Sequence, residues 1–257
     1  MKICVCIKQV PDTETKIKVK PDASGIDDSA IKWVVNPYDE FAIEEALKLK
    51  ASVNDSTVTI LSLGPKKRTT DAIRTGLAMG ADDGLLIECD QWVDSSAVAK
   101  ALSTAIKNEG PFDLVFTGML GIDNNMSCVS QMVAEELDFP HTNVVSKFTH
   151  ADGKALVERE VEGGTKEVVE LVLPAVIGAT KGLNMPRYAS LPGIMKAKKK
   201  PLKELAFADL AEGTTSKLKF SDFQLPPEKP AVNMIEGEPG IQAATLVKAL
   251  REDSKVI

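Results

Sequence analysis

Over the first ~180 residues, short apolar runs alternate with longer stretches of helical period. "KICVCIKQV", "STVTILSLG", "GLLIEC" and "FDLVFTG" predict four strands. Between them, "NPYDEFAIEEALKLK" predicts a helix with Asn36 as its cap, Pro37 in the first turn and Asp39 three residues past the cap. A second helix runs through Ile73 and Leu77 and closes at Gly80. "SSAVAKALSTAIKNEG" places Val98, Ala101, Leu102, Ala105 and Ile106 on one stripe. A fourth helix follows through Val129, Met132, Val133 and Leu137. Short apolar strands separated by helices predict a parallel sheet covered on both faces. Ligands of such sheets sit beyond the strand carboxyl ends, so the loops to watch are "QVPDT", "SLGPKK" and "GMLGIDNNMS".

The pattern changes after residue 140. Turn signals at Asp152-Gly153 and Gly163-Gly164, flanked by alternating strands, predict an antiparallel addition to the sheet. Residues 201–239 are polar, proline-bearing and weakly periodic, which predicts an extended arm. "IQAATLVKAL" predicts a last short helix. The expected division is a core over 1–200 and an appended arm and helix over 201–257.

Composition narrows the function classes. With 44% hydrophobic and 26% charged residues the chain is an ordinary folded protein, and its net charge of -6 argues against general nucleic-acid binding. No apolar run approaches the ~18 residues of a membrane span, so direct membrane insertion is not expected. The N-terminus enters a strand with no signal-peptide pattern and no transit peptide, and a cytoplasmic, bacterial setting is the expectation. Cys4, Cys6, Cys89 and Cys128 form no CxxC pair, so no metal site is predicted. Cys4 and Cys6 share a strand face and suit small buried positions. His141 and His150 are the only histidines, a poor basis for Ser-His-Asp chemistry. No catalytic residue is assigned.

The G-x-G-x-x-G and G-x-x-x-x-G-K-[ST] fingerprints are absent. A phosphate could still sit where "GMLGIDNNMS" meets its helix, because free N–H groups and the helix dipole favour an anion there. Gly118 and Gly121 would let backbone approach it. The same segment equally reads as a plain connection capped by Asp123 or Ser127. By pattern alone, "VEREVEGG" is a half-buried hairpin strand, Leu191 a buried loop anchor, and Lys196, Lys198, Lys199 and Lys200 a solvated cluster.

Five stretches in order, "CIKQVPD", "NPYDEFAIEEALKLK", "GLAMGAD", "VEREVEGG" and "LNMPRYASLPGIMKAKKK", together make the chain resemble the beta subunit of electron-transfer flavoprotein, the beta/FixA family. The resemblance implies a Rossmann-like α/β fold of the adenine-nucleotide alpha-hydrolase type, with an added antiparallel hairpin and an extended C-terminal arm. It implies a heterodimer whose alpha subunit holds most of an FAD. The pair would take electrons from primary dehydrogenases, such as the acyl-CoA dehydrogenases of fatty acid oxidation. It would deliver them to a quinone oxidoreductase, as a carrier and not a classical enzyme. The C-terminal arm and helix would pack on the alpha subunit.

The resemblance also implies a buried structural AMP. Its contacts would come from Cys6, from Asn36, Pro37, Tyr38 and Asp39, from Leu63, and from Gly118, Gly121, Ile122, Asp123, Asn124, Asn125, Met126, Ser127, Cys128 and Val129. The AMP-binding form carries Asn-Gln-Thr where this chain has Ser127, Cys128 and Val129, so here the contact would rest more on backbone. Bifurcating relatives hold a second FAD in the same cleft and oxidise NADH, and Val129 matches them while Ser127, Cys128 and Ser130 do not. A stand-alone adenine-nucleotide sensor is a third reading. The segment 182–200 resembles a loop that docks on a partner dehydrogenase. Leu191 would be its anchor, supported by Tyr188, Ile194 and Met195. Glu160 would pair with an arginine of the mobile flavin domain.

Overall fold

The apolar runs assemble as expected in the computed structural model, which describes residues 1–257. The strands are β1 (Lys2–Ile7), β2 (Gln9–Pro11), β3 (Trp33–Val35), β4 (Thr57–Gly64), β5 (Asp83–Glu88), β6 (Leu114–Gly118), β7 (His141–Ala151), β8 (Lys154–Glu160), β9 (Lys166–Val172), β10 (Ala175–Ala179) and β11 (Leu202–Ala206). The helices are α1 (Pro37–Ser52), α2 (Lys66–Met79), α3 (Ser95–Glu109), α4 (Val129–Leu137), α5 (Leu191–Ala197), α6 (Phe207–Leu210) and α7 (Pro239–Lys248). One sheet has the order β11-β5-β4-β1-β6-β10-β7-β8-β9. It is parallel from β11 through β7 and antiparallel across β7, β8 and β9. β2 and β3 form a separate antiparallel pair.

Alternation along β1 shows how the two faces are filled. Ile3, Val5 and Ile7 enter the apolar layer shared with α1 and α2, whereas Cys4 and Cys6 enter the layer shared with α3 and α4. Both cysteines are buried and unbridged. Gly80 ends α2 at φ 142°, a conformation that favours glycine. The predicted tight turn at Asp152-Gly153 has both residues at positive φ, 50° and 73°, as a two-residue hairpin of matching twist requires.

Two stretches differ from the sequence expectation. The tail of the supposed antiparallel addition, "AVIGA", is β10, a wholly buried parallel strand between β6 and β7. Five consecutive buried residues are the mark of a strand covered on both faces. The polar stretch from 201 is not all arm. Leu202–Ala206 pairs with β5 as the sheet edge, and Leu210 and Ala211 close the apolar layer under α3. An edge strand needs only one buried face and carries charge well, which is why "LKELA" looked like linker. Beyond Ala211 no residue is buried. No helix is long and apolar enough to cross a membrane.

Candidate functional site

From β1 the chain builds the sheet outward through β4 and β5, then returns to place β6 on the other side of β1. The reversal opens a crevice between the carboxyl ends of β1 and β6, the expected ligand position in such a sheet. Lys8 follows β1 there, Gly118 ends β6, and α1 begins beneath them.

Asn36 and Asp39 hold the crevice together. Asp39 is buried, and its carboxylate accepts N–H bonds from Lys8 (2.6 Å) and Gly118 (3.0 Å) and from the Asn36 amide (2.8 Å). The Asn36 amide also donates to Leu120 O (2.8 Å), and its oxygen accepts from Ile122 N (3.2 Å). These side chains were expected to cap α1. They make no side-chain cap bond and instead fasten the ends of β1 and β6 to the helix. Burial pushes the Asp39 carboxyl up to about 7, against the opposing pull of its hydrogen bonds. A Cβ on Gly118 would lie 2.2 Å from Asp39 Oδ1 and 2.9 Å from the Tyr38 backbone, so only glycine lets strand and helix approach this closely.

Over this base lies the loop from Gly118 to Cys128. Asn124 and Asn125 turn back on Gly121 O, and Met126 N donates to Asn124 Oδ1. Asn125 and Ser127 adopt left-handed backbone, at φ 51° and 46°. Such conformations gather at ligand loops, where the surroundings must impose them. The Ser127 hydroxyl donates to Met119 O (2.8 Å), so it folds the loop and does not cap α4. Asp123 does not cap α4 either; it forms an ion pair with Lys8 at 2.7 Å. The first-turn N–H groups of Val129, Ser130 and Gln131 make no bond within the chain. They present a row of donors at the positive end of the helix. Cys6 and Leu63 lie on the adjacent strands β1 and β4, on the α3 side of the sheet.

Two contributors escaped the sequence analysis. Lys8, in "CIKQVPD", brings a half-exposed cation to the loop. Asn143 reaches Met119 O (3.2 Å) and Ser127 Oγ (3.5 Å) from β7. Its place depends on Gly178, where any Cβ would sit 1.9 Å from Asn143 Oδ1. The available signal was an amide side chain directly before Val144 and Val145 in "NVVSKF". Beneath the loop, Ser130 Oγ meets Thr117 Oγ1 (2.9 Å) and His141 Nε2 (3.1 Å). Burial, reinforced by Arg159, lowers His141 to about 4, so its ring is neutral at pH 7. No three His, Cys, Asp or Glu side chains converge as a metal-ligating group.

Tyr188, Leu191, Ile194 and Met195 form a second locus, away from the crevice. Leu191 is 79% exposed and Tyr188 98%, so Leu191 is not the buried anchor its pattern predicts. Both ends of the segment are fixed. Arg187 makes a two-pronged pair with buried Glu44, Nε to Oε2 and Nη2 to Oε1, each at 2.8 Å. Asn184 bonds Phe41 O and Glu45. At the far end, Arg74 donates to Ala197 O and Lys200 O. Lys200 is not simply solvated: it donates to Leu77 O and Ala81 O and closes the end of α2. Glu160 lies elsewhere, exposed at the end of β8 opposite Lys166.

A family model described as "Electron transfer flavoprotein domain" matches residues 24–210. The "Electron transfer flavoprotein subunit beta" of Syntrophomonas wolfei is 43% identical over 256 residues, covering 100% of this chain and 98% of that one. The protein of the same name from Bacillus subtilis is 40% identical and covered completely, as is this chain. The Homo sapiens protein is 39% identical over 92% of this chain and 93% of its own length. With a domain match over most of the chain and likeness along its full length, the chain belongs to the electron transfer flavoprotein family, among the beta subunits.

Proposed function

We propose that this chain is the beta subunit of a heterodimeric electron carrier, with an alpha subunit that holds most of an FAD, and that its own crevice holds a structural AMP. The observation that carries the heterodimer is α7. None of its residues is buried, and Ile241, Leu246 and Val247 stand exposed beside Leu225, Val232 and Met234 of the preceding arm. A ten-residue helix that packs on nothing is marginal in water and needs a partner surface. The alpha subunit is that surface.

The crevice fits a mononucleotide. Glycines at 118 and 121 leave room along the β6 loop, and the free N–H groups at α4 suit a phosphate without the Asn-Gln-Thr side chains. Cys6 and Leu63, with Asn36 to Asp39, would line the base end, and Lys8 would add positive charge. Bound there, AMP stabilises the folded chain because the unfolded chain has no such crevice. FAD, when bound in the pair, supplies the redox chemistry; this chain's residues position and enclose it. The bifurcating alternative, a second FAD in this crevice, is favoured by Val129, which puts a methyl group where the AMP-binding form has a hydroxyl.

The exposed segment around Leu191 fits docking of a primary dehydrogenase. A small apolar patch on a fixed base suits a transient electron-transfer complex. Lys196, Lys198 and Lys199 would steer an acidic partner, and Glu160 would hold one orientation of the flavin domain. A quinone oxidoreductase would take the electrons onward, and a bacterial cytoplasm is the proposed setting. Leu191→Ala is expected to slow electron transfer from the dehydrogenase about tenfold or more while leaving flavin content and melting temperature unchanged. Stopped-flow flavin reduction reads this directly; an unaltered rate would remove the docking role.

A further inference from the structure

The chain after Ala211 is not uniformly loose. Residues 216–223 fold back onto the core, and one buried residue, Asp94, makes most of their hydrogen bonds. Asp94 is 3% exposed and divides its oxygens between two tasks. Oδ1 caps α3, accepting from Ala97 N (3.0 Å) and Ser96 Oγ (2.8 Å). Oδ2 accepts from Lys217 N (2.5 Å) and Leu218 N (3.1 Å). The backbone returns the contact, Asp94 N donating to Ser216 Oγ (3.1 Å). Further along, Phe220 packs edge-on against Trp92 at 5.1 Å, and Phe223 N donates to Ala23 O (3.1 Å). After Phe223 the ties stop. Every hydrogen bond and ion pair made by residues 224–257 has both partners within that segment.

We propose that Asp94 is a positioning residue for subunit assembly: its Oδ2 clasps residues 217 and 218 and so fixes the point on the core from which the apolar segment 224–257 leaves to meet the alpha subunit. This rests on the beta-subunit reading. A segment whose root is held in place loses less freedom on docking than one swinging from Ala211, and affinity rises accordingly. The carboxylate suits the task because both oxygens accept, whereas an amide offers one accepting oxygen and an NH₂ group that only donates. Burial pushes the Asp94 carboxyl up, but the hydrogen bonds from Ala97, Ser96, Lys217 and Leu218 outweigh it and hold the group at about 2, ionised throughout the working range.

Asp94→Asn separates the two tasks. Asparagine caps helices as well as aspartate, so the α3 cap survives through Oδ1, while Nδ2 faces two N–H donors and the clasp opens. In the full chain, amide exchange at Lys217 and Leu218 is expected to quicken about ten- to a hundredfold, with α3 exchange unchanged. In the co-purified pair, the rate of subunit exchange is expected to rise about tenfold. Ser216→Ala, which disturbs the clasp from the arm side, should move both readouts the same way. Unchanged exchange at 217 and 218, or a released arm with an unchanged subunit-exchange rate, overturns the proposal. A wild-type chain that retains no alpha subunit contradicts the beta-subunit reading instead, and amide exchange in the isolated chain still decides whether the clasp exists.

Discussion

Gly118→Ala is expected to cost about 3 kcal/mol or more of stability and, on the proposed AMP reading, to empty the crevice of nucleotide. The added methyl would meet Asp39 Oδ1 at 2.2 Å, Tyr38 Cβ at 2.8 Å and the Tyr38 carbonyl carbon at 2.9 Å. None of these contacts can yield cheaply. The Tyr38 atoms belong to the first turn of α1, and Asp39 is held by Lys8, Asn36 and Gly118 itself. Moving α1 away breaks the Gly118–Asp39 bond and leaves a buried carboxylate short of a donor. Gly121→Ala is the contrast. Its methyl meets Asp123 Oδ1 at 2.9 Å and the end of Lys8 at 3.2 Å, both on side chains that can swing outward. It should lose well under 1 kcal/mol, as exposed ion pairs contribute little. Urea denaturation and nucleotide content of the two variants, compared side by side, measure the difference.

Arg187→Ala is expected to destabilise the chain by about 2–3 kcal/mol. The arginine side chain is 45% exposed but its partner Glu44 is 7% exposed, so the loss falls on the glutamate. Without Arg187, the Glu44 carboxylate sits in a site with little access to water and loses two donors, the guanidinium Nε and Nη2, together with part of the order that holds the residue 187 N–H at 3.1 Å. Half-exposure of the arginine keeps the figure below the 3–5 kcal/mol typical of a fully buried broken pair. Adding Glu44→Gln should recover part of the loss, because an unpaired amide is easier to bury than an unpaired charge. Chemical denaturation of the two single variants and the double variant closes the cycle. The contrast with Leu191→Ala is diagnostic. Arg187 supports the exposed segment and its loss shows in stability, whereas Leu191 touches little of its own chain and its loss shows only in transfer.

The period of the apolar runs was enough to foresee the parallel core, its two helical layers and the hairpin. The rule that ligands sit beyond strand carboxyl ends selected "QVPDT", "SLGPKK" and "GMLGIDNNMS", and the first and last of these flank the crevice between β1 and β6. What the sequence concealed was tertiary in origin. Asn36 and Asp39 carry the local pattern of a helix cap, but their partners lie 31, 79 and 86 residues away at Lys8, Gly118 and Ile122. No local window distinguishes a cap from a bolt between strands. β11 was hidden because an edge strand tolerates charge, and β10 because it follows β9 after only two residues and so reads as the tail of the hairpin. Asp94 drew no reading from the sequence: its cap on α3 and its hold on residues 217 and 218 both appear only in the folded chain.

The resemblance in five dispersed stretches supplied what periodicity could not, the existence of a partner. The structure gives that partner a physical reason. Apolar side chains of the last 34 residues, 224–257, have no core of their own to enter. On the proposed reading, the alpha subunit would complete the fold as well as the cofactor site.

The most direct test is to co-express the chain with its alpha subunit, denature the purified pair and identify the released nucleotides by chromatography, with the chain expressed alone as control. The account predicts one FAD and one AMP per pair and almost no flavin on the chain alone. Two FAD and no AMP would replace the AMP reading with bifurcation. A single chain that is stable and fully flavinated by itself would contradict the heterodimeric carrier.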